Sequence, residues 1–356
     1  MKTPSPAQVA EASSAGGSGE ARIEPLIRLI EDALGRRDES AMRLQRKWFR
    51  FGGAAAMLGP SAVLLLAVQV LVFPHIGPLA ILLILLELLA LAVALAMGFL
   101  RIGEAHLGWV SERLRAELLR RERFLFRAHV GPYLGLDDAS AAGRVKQRLA
   151  MLDSDLEEPL PLTALKDAGG VGWRNALEDA HRAGGLAPVP DLSGCMQDYL
   201  DRRVADQRTW LSDKVGFHAT RDRILENGAK VALTLALIVA AIHLGMLLAR
   251  AEDEHGGLAT ALILTALVLP PLGAACVGFR ALLEGHRISR SYLHHARALA
   301  EIERELIELQ NAGAGGVDGD AGFSFRRLVL QTEELLAAEL RQWWFVMQPS
   351  VPTAEV

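Results

Sequence analysis

FGGAAAMLGPSAVLLLAVQVLVF, residues 51–73, carries no charged side chain, and after a short turn LAILLILLELLALAVALAMGFL, residues 79–100, carries only Glu87. Each run has the roughly 17 to 25 residues that a helix needs to cross a hydrocarbon core. The pattern recurs at residues 231–249, whose one candidate charge is His243, and at residues 258–279, which carry no charged side chain. A chain of 356 residues with a mean hydropathy of +0.22 cannot enclose four such runs in one soluble core. In lipid every backbone polar group must be paired within its own segment. None of the runs alternates like a barrel strand, so the expected fold class is an all-α membrane protein with four transmembrane helices in two hairpins.

Charge sets the topology. Arg36, Arg37, Arg43, Arg46, Lys47 and Arg50 precede the first run, and Arg101, Arg113, Arg115, Arg120, Arg121, Arg123 and Arg127 follow the second, while the turn Pro74–Pro78 holds no Lys or Arg. The second pair repeats this, with Arg221, Arg223 and Lys230 before it and Arg280, Arg287, Arg290 and Arg297 after it. By the positive-inside rule both termini and the central region are cytoplasmic, and the location is the inner (plasma) membrane. The net charge of −4 hides this asymmetry.

The expected organisation is a disordered tail over 1–21, then a first hairpin unit over 22–130, with spans near 51–73 and 79–100 and a cytoplasmic stem. A cytoplasmic linker region with short helices follows over 131–194, rich in Pro and Gly. A second hairpin unit spans 195–311, with spans near 231–249 and 258–279. A Gly-rich linker at 312–322, an amphipathic helix at 323–347 and a loose tail at 348–356 complete the chain. In the stem, Leu107, Val110, Leu114, Leu118 and Leu125 recur at helical spacing, and Gly131-Pro132 ends it. Tyr292, Leu299 and Leu306 with His295, Ile302 and Leu309 form an a/d seam typical of a coiled coil. Gly98-Phe99 with Glu104 and His106 recurs as Gly278-Phe279 with Glu284 and His286 at the same offsets, which suggests duplication of a hairpin unit.

No Walker loop, nucleophile elbow, H-E-x-x-H or C-x-x-C motif occurs, so catalysis is not expected. The only cysteines, Cys195 and Cys276, supply neither a disulfide framework nor a thiolate metal site. No cofactor or metal is expected, nor a nucleic-acid partner. The candidate site residues are therefore structural or pore-lining. Glu87 costs about 2.5 to 3.5 kcal/mol near a bilayer centre. It is either a cation-attracting group of a lumen shared with Gln69 and His243, or a protonated carboxyl bonded between helices. Pro270 and Pro271 bend the fourth span, as a gating hinge or a static kink. Tyr199, Arg203, Asp206, Gln207 and Trp210 form a polar and aromatic stripe, a surface for packing against another helix or for a partner.

Three segments carry a family resemblance. The stem Trp109-x3-Arg113-x3-Glu117-x2-Arg120-x3-Phe124-Leu125-Phe126 closes on Gly131-Pro132-Tyr133. The stripe reads Tyr199-x3-Arg203-x2-Asp206-Gln207-x2-Trp210, and the last helix carries Glu339-x3-Trp343. Over roughly residues 40–347 the chain resembles the SLATT-type membrane effectors, the SMODS- and SLOG-associating two-transmembrane family of prokaryotic conflict systems, and in particular their double-hairpin relatives of unassigned function. The resemblance implies a homo-oligomeric, pore-forming or membrane-disrupting effector of antiviral defence, restrained until a nucleotide-sensing partner signals. It also assigns Glu339 and Trp343 to the same packing or partner surface. The stretch before residue 51 is too short for a sensor domain, which places the sensor on another chain. The rival expectation is a non-conducting membrane anchor or scaffold. A small-solute transporter is disfavoured, because neither hairpin carries paired intramembrane charges.

Overall fold

Every described element is helical, as apolar stretches of this length require, and no strand occurs among the described residues. The computed structural model describes residues 19–72, 77–100, 102–153, 171–189, 191–248, 256–283, 285–313 and 318–347. The expected terminal tails, most of the first hairpin turn and the centres of the Pro/Gly-rich and Gly-rich linkers lie outside the described residues. Helix α1 runs Gly19–Val72, α2 Pro78–Leu100, α3 Ile102–Arg127, α4 Asp138–Leu152 and α5 Val171–Arg182. Then α6 (Leu192–Tyr199) passes through a π-helical turn, Leu200–Ala205, into α7 (Asp206–Leu248), followed by α8 (Gly256–Leu283), α9 (Gly285–Gly313) and α10 (Asp318–Met347).

The chain divides into two compact units. One, the bundle unit, comprises Met1–Arg43, Leu107–Asp213 and Ser291–Val356; the other, the apolar unit, comprises Leu44–His106 and Lys214–Arg290. Helices that cross a membrane must show lipid their large side chains, and the apolar unit does so: Leu237 is 72% and Leu248 78% exposed. Three described helices are long and apolar enough to cross a membrane by length and composition, over Ile23–Gln69, Leu192–Leu248 and Gly257–Arg280. The expected second span coincides with α2, 23 residues long, whose described apolar stretch is the shorter Ile81–Ala90.

Within the apolar unit α7 and α8 run antiparallel, since Leu233 meets Gly273 while Asp222 meets Arg280. Small residues make the approach close. A Cβ added to Gly273 would lie 3.0 Å from Leu233 Cγ, and one added to Gly228 would lie 3.4 Å from Cys276 Sγ. In lipid, where apolar burial between helices gains little, such close packing is what holds helices together. Pro270 and Pro271 lie inside α8, which remains helical from Gly256 to Leu283.

The bundle unit buries its apolar side chains. Val110, Leu114, Leu118 and Leu125 of α3 are buried, as are Tyr292, His295, Leu299, Ile302 and Leu306 of α9 and Phe325, Leu328 and Leu336 of α10. Leu107, at the head of the expected stripe, is exposed. Three pairs of contacts fix helix directions. Asp38 and Glu31 of α1 meet Arg113 and Arg123 of α3; Trp210 and Asp198 meet the same two arginines; Trp343 and Arg326 of α10 meet Trp109 and Ala128. Each pair runs antiparallel to α3, which is therefore the hub. Beyond α3, Gly131 adopts a left-handed φ of 63°, and a Cβ there would lie 2.9 Å from the Trp173 ring. Only glycine meets both demands. Asp137 and Asp191 cap α4 and α6, accepting from the Ser140 and Gly194 backbone N–H at 2.7 and 3.1 Å.

Candidate functional site

Arg113, Glu117 and Arg120 follow each other at spacings that share one face of α3. Glu117 Oε1 accepts from Arg113 Nη2 at 2.7 Å and from Arg120 Nη1 at 2.5 Å. Asp38 of α1 accepts from Arg120 at 2.9 Å and from Arg113 at 3.4 Å. The other Glu117 oxygen lies 3.7 Å from Arg203 Nη1. Burial pushes the Glu117 carboxyl up, but Arg113, Arg120 and Arg203 together overcome it and hold the group at about 2.

Arg203 belongs to the π-helical turn, an irregularity common where a helix must aim a functional side chain. Its side chain is 2% exposed and that of Glu333 on α10 is 0% exposed. The guanidinium donates in a fork, Nε to Oε1 at 2.8 Å and Nη2 to Oε2 at 2.7 Å. Tyr199 O–H adds a third donor to Glu333 Oε1 at 3.2 Å. Burial opposes the Arg203 charge, yet the adjacent Glu333 raises its pKa above the ordinary arginine value. Burial also drives the Tyr199 phenol upward, so it remains a donor. Removing one member of such a pair strands a buried charge, at a cost of about 3–5 kcal/mol.

Further along the hub, the Arg113 guanidinium lies over the Trp210 ring, 5.6 Å from its centroid. Trp210 in turn meets Tyr292 of α9 at 5.5 Å, and Trp109 meets Trp343 edge to face at 5.6 Å. Glu339 of α10, partly buried, faces Arg113, Glu117, Arg203 and Tyr292. Among the described residues it makes no hydrogen bond or ion pair. The three guanidinium groups are already engaged by Asp38, Glu117 and Glu333, so Glu339 is the surplus carboxylate. Burial and the neighbouring Glu117, resisted by Arg113 and Arg203, push it up to about 7.

The structure thus brings Tyr199, Arg203, Trp210, Glu339 and Trp343 into one interior network of the bundle unit. Gln207 is buried beside it, while Asp206, its neighbour in sequence, is exposed. Glu333 was not foreseen. A glutamate in the run Glu333-Glu334 reads as helix surface, and the sole signal was that a buried Arg203 demands a counter-charge. In the apolar unit Glu87, Gln69 and His243 lie on three different helices, each half-buried. The His106 ring meets that of Trp48 at 4.9 Å, tilted by 40°; Glu284 of the second E-x-H pair is outside the described residues. No group of His, Cys, Asp and Glu among the described residues has the arrangement of a metal site. Cys195 is a buried thiol whose pKa burial raises, away from the reactive thiolate form. The network contains no nucleophile poised beside a base. What it does is join α1, α3, α10 and the π-helical turn through charge, with one protonation left adjustable.

Residues 199–343 match the family model described as SMODS and SLOG-associating 2TM effector domain 1, abbreviated SLATT_1. The match starts at Tyr199 and ends at Trp343, both members of the network. No curated protein and no solved structure matches the chain.

Proposed function

We propose that this chain, whose residues 199–343 match the SLATT-type effector family model, is an inner-membrane effector of a prokaryotic defence system. Its four apolar helices form two hairpins with both termini cytoplasmic, and copies assemble into a pore. One observation carries the reading. The apolar unit exposes Leu85, Leu89, Leu237, Leu244 and Leu248, each more than half exposed, a surface that only lipid or other copies of the chain can cover. Four spans with so few polar groups enclose no channel alone, so assembly is part of the proposal. Glu87 then contributes the lumen charge with Gln69 and His243, and Pro270 and Pro271 the hinge.

Restraint belongs to the bundle unit, where the Arg203–Glu333 clamp holds α10 against the turn that leads into α7. A separate nucleotide-sensing protein is the proposed trigger, acting on the surface next to this clamp. An effector domain of this kind needs no catalytic step. Reconstituted liposomes test the proposal. The oligomer, with its sensor protein and activating nucleotide, is expected to leak ions, and Glu87→Ala to change the leak. A verified oligomer that stays silent in every variant, yet captures a partner through residues 195–227, identifies a non-conducting scaffold instead.

A further inference from the structure

Arg221 of α7, nearly three turns before the apolar run at 231, forms no ion pair or hydrogen bond among the described residues. Its guanidinium lies between two aromatic faces, 5.7 Å from the centroid of Phe217 on its own helix and 5.7 Å from that of Phe49 on α1. Both rings face outward, Phe49 40% and Phe217 54% exposed. The nearby carboxylates are already engaged. Asp222 accepts from Arg280 Nε at 2.9 Å, and Glu226 from Lys230 at 2.5 Å and Arg280 at 3.1 Å. Lys214 Nζ also lies over the Phe217 ring at 5.6 Å, and Lys47 and Arg50, close to Phe49 in sequence, and Arg223 are exposed. One turn onward Ile224 is exposed and apolar.

A guanidinium steadied by two rings, with its donors unspent, matches the oxygens of a phosphate. Aromatic rings at this position occupy the headgroup level of a bilayer, and anionic lipid draws basic side chains there. We propose that Arg221, with Phe49 and Phe217, binds the phosphate of an anionic phospholipid in the cytoplasmic leaflet. The lipid would tie α1 to α7 beside the point where both enter the hydrocarbon. The proposal rests on the membrane reading above and adds to it a defined headgroup site.

Native mass spectrometry of the full chain in neutral detergent tests it, with phosphatidylglycerol, phosphatidylcholine of equal chain length and inorganic phosphate as probes. Phosphatidylglycerol is expected to be retained over phosphatidylcholine, and Arg221→Gln to weaken its retention about fivefold. Arg221→Lys, which keeps the charge but not the planar stacked fork, retains only part of the preference. Phe217→Leu, at an exposed position that folding tolerates, lowers it partially. Unchanged preference in both Arg221→Gln and Phe217→Leu overturns the site. Full competition by inorganic phosphate reassigns it to a free anion and overturns the lipid. Flotation with vesicles separates the two levels: a protein that floats without headgroup preference loses this site alone, and one that floats with neither vesicle loses the membrane reading as well.

Discussion

Leu114 in the bundle unit is fully buried and Leu237 in the apolar unit is 72% exposed, although both are leucines in the middle of long helices. The bundle unit turns its leucines inward and reserves its interior for paired charges as well. The apolar unit turns its leucines outward and brings its helices together through Gly273, Gly228 and Cys276. The two units obey opposite rules, as the proposed placement of one in water and the other in lipid requires. In water, removing apolar area from solvent drives packing; in lipid that drive vanishes and close contact of small residues replaces it. The same sequence pattern therefore predicts different consequences for the same substitution in each unit.

The largest effect is expected where a buried charge is stranded. Glu333→Ala should destabilise the bundle unit by about 3–5 kcal/mol, read by chemical unfolding in detergent, while the paired Arg203→Met, Glu333→Leu variant should recover much of it. Equal losses in the single and double variants would show that the pair is not the clamp described. Next comes the direct contrast between leucines. Leu114→Ala should cost about 2–5 kcal/mol and Leu237→Ala within about 0.5 kcal/mol. Similar costs at the two positions would erase the distinction between the units.

The pH response has a sign that only the bundle interior can give. Glu339 has its folded pKa raised from 4.5 to about 7, so the native state holds a proton that the unfolded chain has released between those values. Stability should fall as pH rises through that window and level off above it. Glu339→Gln should remove the fall, making the variant more stable than the parent at mildly alkaline pH and similar to it near the lower end. Glu117, lowered to about 2, acts oppositely: its contribution is full above 4.5 and is lost as pH drops toward 2. Thermal melts across pH read both. A Glu339→Gln profile parallel to that of the parent would remove the surplus carboxylate from the account. The smallest effect belongs to the caps, where Asp137→Ala should loosen the first turn of α4, visible as faster hydrogen exchange there.

Much of this was legible because long apolar runs and helical periodicity are local signals. The runs at 51–73, 231–249 and 258–279 fall in helices of membrane-crossing length; of the stripe Tyr199, Arg203, Asp206, Gln207 and Trp210, the first two meet Glu333 of α10 and Trp210 meets Arg113 of α3, while Asp206 is exposed. Two things were not legible. Glu333 lies far from Arg203 in sequence, and its pairing depends on α10 running antiparallel to α3, which no local pattern encodes. The π-helical turn at Leu200–Ala205 leaves no trace in residue spacing, since a single added residue is absorbed by the tolerance of a helical stripe. Nor could spacing announce that Glu339 would be the carboxylate left over. That follows from counting charges once the helices have met.

The contrast between the units rests on lipid covering the leucines of the apolar unit. Spin labels introduced by Leu85→Cys and Leu237→Cys in a bilayer test this most directly, through collision with oxygen and with a water-soluble nickel chelate. Both labels are predicted to meet oxygen readily and the chelate hardly at all. Ready access of the chelate at both positions would place that surface in water and contradict the account.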